Sequence, residues 1–152
     1  MKRQSGFTLV ELLVVVGILG VLFVSAMPVY RTWQQRAYGS EAAIMLKQLI
    51  NAEIAYFLEN DEFYPPGATY LIPHSGDTTP SEIIDDIEEN LKITIPQGHF
   101  IDYALSGDNV PGDQSFIVTI SSYGGFNLFK GTDQVIATLD KNGKADFFYP
   151  SY

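Results

Sequence analysis

The sequence predicts an α+β fold, in which a long N-terminal α-helix packs by its C-terminal half on a C-terminal antiparallel β-sheet. Three observations carry this reading. Leu12 to Tyr30 is an almost unbroken apolar run, and Ala42, Met45, Leu49, Ala52 and Tyr56 then repeat at helical spacing. From His99 onward the period falls to two, in short runs rich in β-branched and aromatic residues.

Only Gly17, Gly20, Ser25 and Pro28 interrupt the first run. About 20 apolar residues rising 1.5 Å each span the roughly 30 Å hydrocarbon core of a bilayer. Lys2 and Arg3 favour a cytoplasmic N-terminus, although Arg31 and Arg36 nearly balance them at the other end. One acid, Glu11, sits inside the apolar segment. A carboxylate at the centre of a membrane helix costs about 2.5 to 3.5 kcal/mol on insertion scales, so such groups are usually paired and functional. The rival reading is a secretory signal peptide, with Lys2-Arg3 as its basic region and Val24-Ser25-Ala26 as its cleavage site. Glu11 counts against that rival, because an acid there weakens insertion and a discarded peptide has no later use for it.

Beyond Pro28 no proline occurs before Pro65, and the helical pattern runs on to Glu59. Leu46, Ile50, Ile54, Phe57 and Leu58 widen the apolar stripe, while Glu41, Lys47, Gln48, Asn51 and Glu59 fall outside it. Gly39-Ser40 either bends this helix or starts a new one with Ser40 as N-cap. If unbroken, Phe7 to Glu59 would be about 80 Å long.

Residues 60–98 hold most of the prolines and read as a connection containing a short helix over about 80–91. Thr79-Pro80-Ser81-Glu82 has the form of a capping box, with Thr79 as N-cap and Pro80 as the first helical residue. Ile83, Ile87 and Leu91 mark the buried side; Asp85, Asp86, Glu88 and Glu89 read as a solvated face. Residues 99–152 read as the sheet, with strands at His99–Leu105, Ser115–Ile120, Phe126–Lys130, Gln134–Asp140 and Lys144–Tyr149. Asn142-Gly143 is a hairpin signal, since both central residues of such a turn favour positive φ.

Composition narrows the function. The formal charge is −9, and removal of Lys2 and Arg3 would make the remainder more acidic still, so nucleic acid is not an expected ligand. The absence of cysteine excludes disulfides and thiolate metal sites. His74 and His99 stand in no zinc-type spacing, and no nucleophile triad or phosphate loop can be assembled, so no enzyme is expected. Asp140, Asn142 and Asp146 could offer oxygens to calcium, but the loop is not an EF-hand, and Lys141 and Lys144 count against it. The aromatic series Tyr30, Trp33, Tyr38, Tyr56, Phe57, Phe63 and Tyr64 is explained by packing.

Lys2, Arg3 and Gly6, followed by Phe7-Thr8-Leu9-Val10-Glu11-Leu12-Leu13, resemble the class III signal of type IV prepilins and pseudopilins. The likeness continues through Tyr30-Arg31, Arg36-Ala37-Tyr38, Leu46-Lys47-Gln48-Leu49, Ala52 and Phe63-Tyr64-Pro65-Pro66, similar to short-stalk pilins of delta-proteobacterial type. Its tyrosine-proline ending also resembles major pseudopilins. The resemblance implies a leader at 1–6, a membrane and polymerisation helix at 7–30, an amphipathic stalk at 31–59 and the connection and sheet given above. It implies that prepilin peptidase cuts between Gly6 and Phe7 and methylates Phe7. Glu11 would then pair with the amino terminus of a neighbouring copy, and the helix between Gly20 and Pro28 would loosen on leaving the membrane.

The implied product is a helical homopolymer, a type IV pilus made of this major pilin and used for adhesion, motility or DNA uptake. Implied partners are an inner-membrane assembly platform with its ATPase and an outer-membrane secretin. The precursor would sit in the inner membrane and the product at the cell surface. A pseudopilin of a type II secretion system is the alternative, and a soluble secreted binding protein cut after Ala26 is a third. Major pseudopilins bind calcium in their C-terminal loops, which brings Asp140, Asn142 and Asp146 back into view. Many type IV pilins close that loop with a disulfide, a pattern from which this chain departs.

Overall fold

The computed structural model describes residues 7–74, 80–96, 100–124, 126–129 and 131–148. Helix α1 spans Leu9–Asn60 without a break, a length of 52 residues with Pro28 inside it. Contacts divide the chain into two units, residues 1–34 and 35–152. In the first unit α1 exposes its apolar side chains, among them Leu9, Leu13, Leu19 and Phe23, and by length and composition it can cross a membrane.

In the second unit α1 is amphipathic. Ala42, Met45, Leu46, Leu49 and Ile50 are buried, as their spacing predicts, whereas Leu58 is exposed and does not extend the stripe. Ser40 starts no new helix. Its hydroxyl donates back to the carbonyls of Arg36 (2.9 Å) and Ala37 (2.8 Å), inside a continuous ladder. Gly39 is buried because a Cβ there would overlap the Leu128 carbonyl oxygen, so the glycine serves close approach and not a bend. The helix ends where Asp61 turns left-handed (φ 58°) and returns its N–H to the Phe57 carbonyl at 2.8 Å.

Five strands follow in the order β1-β2-β3-β4-β5, each antiparallel to its neighbour. They are β1 (Thr69–Ile72), β2 (Ile101–Asp108), β3 (Ser115–Ser122), β4 (Gln134–Asp140) and β5 (Ala145–Phe148), with helix α2 (Ser81–Leu91) between β1 and β2. Alternation sends Tyr103 and Leu105, Phe116, Val118 and Ile120, and Val135, Ala137 and Leu139 to one face. That face, the α1 stripe, and Ile87 and Leu91 of α2 make one core.

Several expected elements move. Strand β1 falls within the segment read as connection, because four residues between Pro65-Pro66-Gly67 and Pro73 are too few to show a period. Phe126–Lys130 is not a strand; its described residues form one isolated bridge, Phe129 with Thr132. β3 pairs directly with β4 from Ser121↔Gln134 onward, leaving that segment without a strand partner, and its Leu128 fills the core instead. β2 runs on to Asp108 through Gly107, where a Cβ would meet the carbonyl oxygens of Phe63 and Pro65, both at 2.8 Å.

Thr79 and His99 lie outside the described residues. Pro80, with ψ 133°, is the N-cap of α2 and not its first helical residue, and it makes no side-chain cap. The hairpin forms, but its turn differs from the expected one: only Gly143 takes positive φ (78°), and its N–H on the Asp140 carbonyl at 3.0 Å centres the turn on Lys141 and Asn142, with Gly143 following as the left-handed residue.

Gly39→Ala is predicted to lower the stability of the second unit, the head, by about 2 kcal/mol, since backbone must shift to admit the methyl and the roughly 1 kcal/mol gain in helix propensity does not offset it. A thermal melt of the full chain in detergent checks this, and an unchanged midpoint would contradict the close approach.

Candidate functional site

The start of α1 is built by two side chains that satisfy each other. Thr8 is the N-cap: its hydroxyl accepts the Glu11 amide hydrogen at 3.2 Å. Glu11 Oε2 reaches back and accepts from the Thr8 amide (2.9 Å) and the Thr8 hydroxyl (2.8 Å). This is a capping box, Thr-Leu-Val-Glu, which satisfies two donors that a helix start otherwise leaves orphaned. Its sequence signal was present at residues 8–11 but was overshadowed by the apolar run that follows. In this chain, with residues 1–6 attached, the carboxylate thus has local donors. Gly6 lies outside the described residues, and Phe7 beside it is exposed.

Further along the same unit, a Cβ on Gly17 or Gly20 would meet nothing within 4 Å. Pro28 cannot donate to the Val24 carbonyl, four residues back. On either side hydroxyls bond back to the ladder: Ser25 to the Val21 carbonyl at 2.9 Å and Thr32 to the Pro28 carbonyl at 3.0 Å. Such back-bonding weakens and bends helices. Residues 21–32 therefore concentrate three departures from an ideal ladder, at Ser25, Pro28 and Thr32.

In the head, the turn considered for calcium is occupied by its own backbone. Asp140 Oδ1 accepts from the amides of Asn142 (2.9 Å) and Lys144 (2.8 Å), and Asp146 pairs with the Lys144 ammonium at 2.7 Å. The Lys144 amide, with help from Asn142, holds the Asp140 carboxyl below the usual carboxylate range. Among the described residues no three His, Asp or Glu side chains group to hold a metal ion.

The acids of α2 are not all solvated. Asp86 Oδ2 accepts the hydroxyls of Tyr64 (2.7 Å) and Tyr70 (2.6 Å), and its Oδ1 accepts the Asn90 amide at 2.9 Å. Those bonds, Tyr70's first, hold its carboxyl below the ordinary value. His74 is a hydrogen-bonded surface group: Nδ1 lies 2.9 Å from Asp102, and the ring stacks on Tyr123 at 3.5 Å. The head's aromatics pack pairwise, Tyr38 with Phe100 and Phe126, Phe57 with Phe63, and Tyr56 with Tyr64, whereas Tyr30 and Trp33 of the first unit are exposed, so packing within the chain does not explain those two.

The family described as a prokaryotic N-terminal methylation motif matches residues 1–27, which take in Gly6, Phe7 and Glu11. The N-terminal segment is similar to that of type IV major pilins. The chain is 43% identical over 61 residues to the type IV major pilin protein PilA of Myxococcus xanthus, covering 40% of this chain and 28% of that protein. It is 38% identical over 80 residues to a fimbrial protein of Neisseria meningitidis serogroup B, covering 53% and 44%. Against the type IV major pilin protein PilE1 of Neisseria gonorrhoeae it is 37% identical over 60 residues, covering 40% and 36%. The chain thus spans less than half the length of each of these relatives. No solved structure matches.

Replacing the N-cap is predicted to fray the start of α1. Thr8→Ala should cost about 1 kcal/mol at the helix start, seen as faster amide exchange at residues 9–12 in detergent micelles, and Thr8→Ser should restore protection. Equal exchange in all three chains would contradict the capping box.

Proposed function

We propose that the chain is the structural subunit of a type IV pilus, processed by prepilin peptidase between Gly6 and Phe7 and polymerised helically through its N-terminal helix. One observation carries the reading: an acid, Glu11, stands one turn into an exposed, membrane-grade helix, inside a matched methylation motif. Cleavage places an ammonium on Phe7. Glu11 passes from its own Thr8 to the amino terminus of a neighbour, and a pair buried among apolar helices penalises subunits that dock out of register, since removing one partner typically costs 3 to 5 kcal/mol.

Gly20 and Pro28, with Ser25 and Thr32, supply the stretch of helix that loosens as the subunit leaves the inner membrane for the surface filament. The assembly platform with its ATPase and the outer-membrane secretin act on it there. The filament displays an acidic head for adhesion, motility or DNA uptake. The head folds without calcium, since Asp140 and Asp146 are used by the hairpin itself.

Mass spectrometry of the processed chain should give N-methyl-Phe7 as its first residue; Met27 in that place would overturn the proposal. Glu11→Ala should leave cleavage intact yet abolish most fibre yield, because the peptidase reads the glycine and assembly needs the charge pair. Normal fibres from that variant would refute the pairing. Electron microscopy of cells with and without the chain separates long surface fibres, as expected here, from the pseudopilin alternative. The melting midpoint of the head should move by less than about 1 °C between chelator and millimolar calcium, whereas the rise of several degrees that a bound ion produces would restore the calcium loop.

A further inference from the structure

Glu53 lies on the buried face of α1, three residues beyond Ile50, and none of its surface reaches solvent. Its Oε2 accepts the Tyr64 amide hydrogen at 3.1 Å, and Oε1 has no hydrogen-bond partner among the described residues. The titratable groups gathered in this region are acids and phenols: Tyr56 on α1, Glu62 and Tyr64 after it, Tyr70 on β1 and Asp86 on α2. β2 and β3 bring Gly107 and Phe116 beside Phe63, neither of them titratable. Burial is the main influence on the Glu53 proton, the Tyr64 amide opposes it, and no cation contributes.

A carboxylate in such a place is strongly disfavoured unless a cation pairs with it, so the group holds its proton. Burial pushes the Glu53 carboxyl from 4.5 up to about 8. Tyr64 is therefore held at both ends, its amide by a neutral acid on α1 and its hydroxyl by the charged Asp86 on α2. The same Asp86 oxygen holds Tyr70 of β1, so residues 61–72 are tied down from both sides.

We propose that Glu53, Tyr64 and Asp86 form a proton-gated latch, which closes residues 61–72 onto α1 while Glu53 carries its proton and lets that segment open as the proton is lost. The folded head binds this proton more tightly than an open segment does. The latch's contribution is thus complete below pH 4.5, declines as pH rises and is lost through about pH 8. Asp86 works in the opposite sense and fails only in acid, because its carboxyl is held low.

Hydrogen exchange of the full chain in detergent, corrected for intrinsic rates, tests this. Protection of the Tyr64 amide and its neighbours in 61–72 should fall about tenfold per pH unit between roughly pH 5 and 8 and level off above. The amides of β3 and β4 should stay at least about tenfold better protected throughout, as expected of a local and not a global opening. Glu53→Gln, neutral at every pH, should abolish the slope. The same slope in that variant, or equal protection at Tyr64 and in the sheet, would overturn the latch. Should the variant not fold, infrared difference spectra of the unsubstituted chain decide: a buried carboxylic acid carbonyl band must be present at pH 7 and vanish through pH 8. Its absence at pH 7 overturns the proposal.

Discussion

Helix α1 joins an exposed apolar half to a half buried against the sheet in one continuous helix, and the placement of nearly every notable residue follows from this. Its first half offers mainly apolar side chains, exposed within its own unit, and is long and apolar enough to cross a membrane. Its second half carries a stripe that the sheet removes from water. At about 25 cal/mol per Å2, burial of that stripe, and not helix propensity, holds the head together. Several of the polar groups stand at points where an element begins, ends or meets another closely.

Three such points show the constraint at work. At residue 8 the capping box closes the helix start and gives Glu11 local donors, so an acid can reside in an apolar segment without a partner. At residue 39 the side chain is deleted altogether, letting the Leu128 carbonyl approach the helix. At residue 53 an acid is retained inside the core, where it accepts the Tyr64 amide that the turn after α1 would otherwise leave unpaired. The first solves a hydrogen-bonding problem of the helix start itself, and the other two solve problems created by packing α1 against the sheet.

The sequence made periodic elements legible and close approaches illegible. Helix α1, helix α2, the β3 and β4 strands and the final hairpin follow from spacing alone, because their faces are buried over several residues. β1 is too short to show a period, and Phe126 to Leu128 look like a strand because core-filling residues in a loop share the composition of strands. The pairing of Asp86 with two tyrosines was invisible, since Tyr64 and Tyr70 reach it from outside α2. Glu53 could be noticed as an acid aligned with Leu46, Leu49 and Ile50, but its burial depends on where the chain goes after Asn60. The Thr8 and Glu11 box, by contrast, was readable from its four-residue form.

In the proposed filament Glu11 exchanges an intramolecular partner, Thr8, for an intermolecular one. Solid-state NMR of fibres grown from two subunit populations, one carrying carbon-13 at the glutamate carboxyls and the other nitrogen-15 at Phe7, measures that exchange directly. The account predicts magnetisation transfer between the two labels, corresponding to a separation of about 4 to 6 Å, in mixed fibres and not in detergent-solubilised subunits. Fibres that form normally and show no transfer, with Glu11 still bonded to its own Thr8, would contradict it.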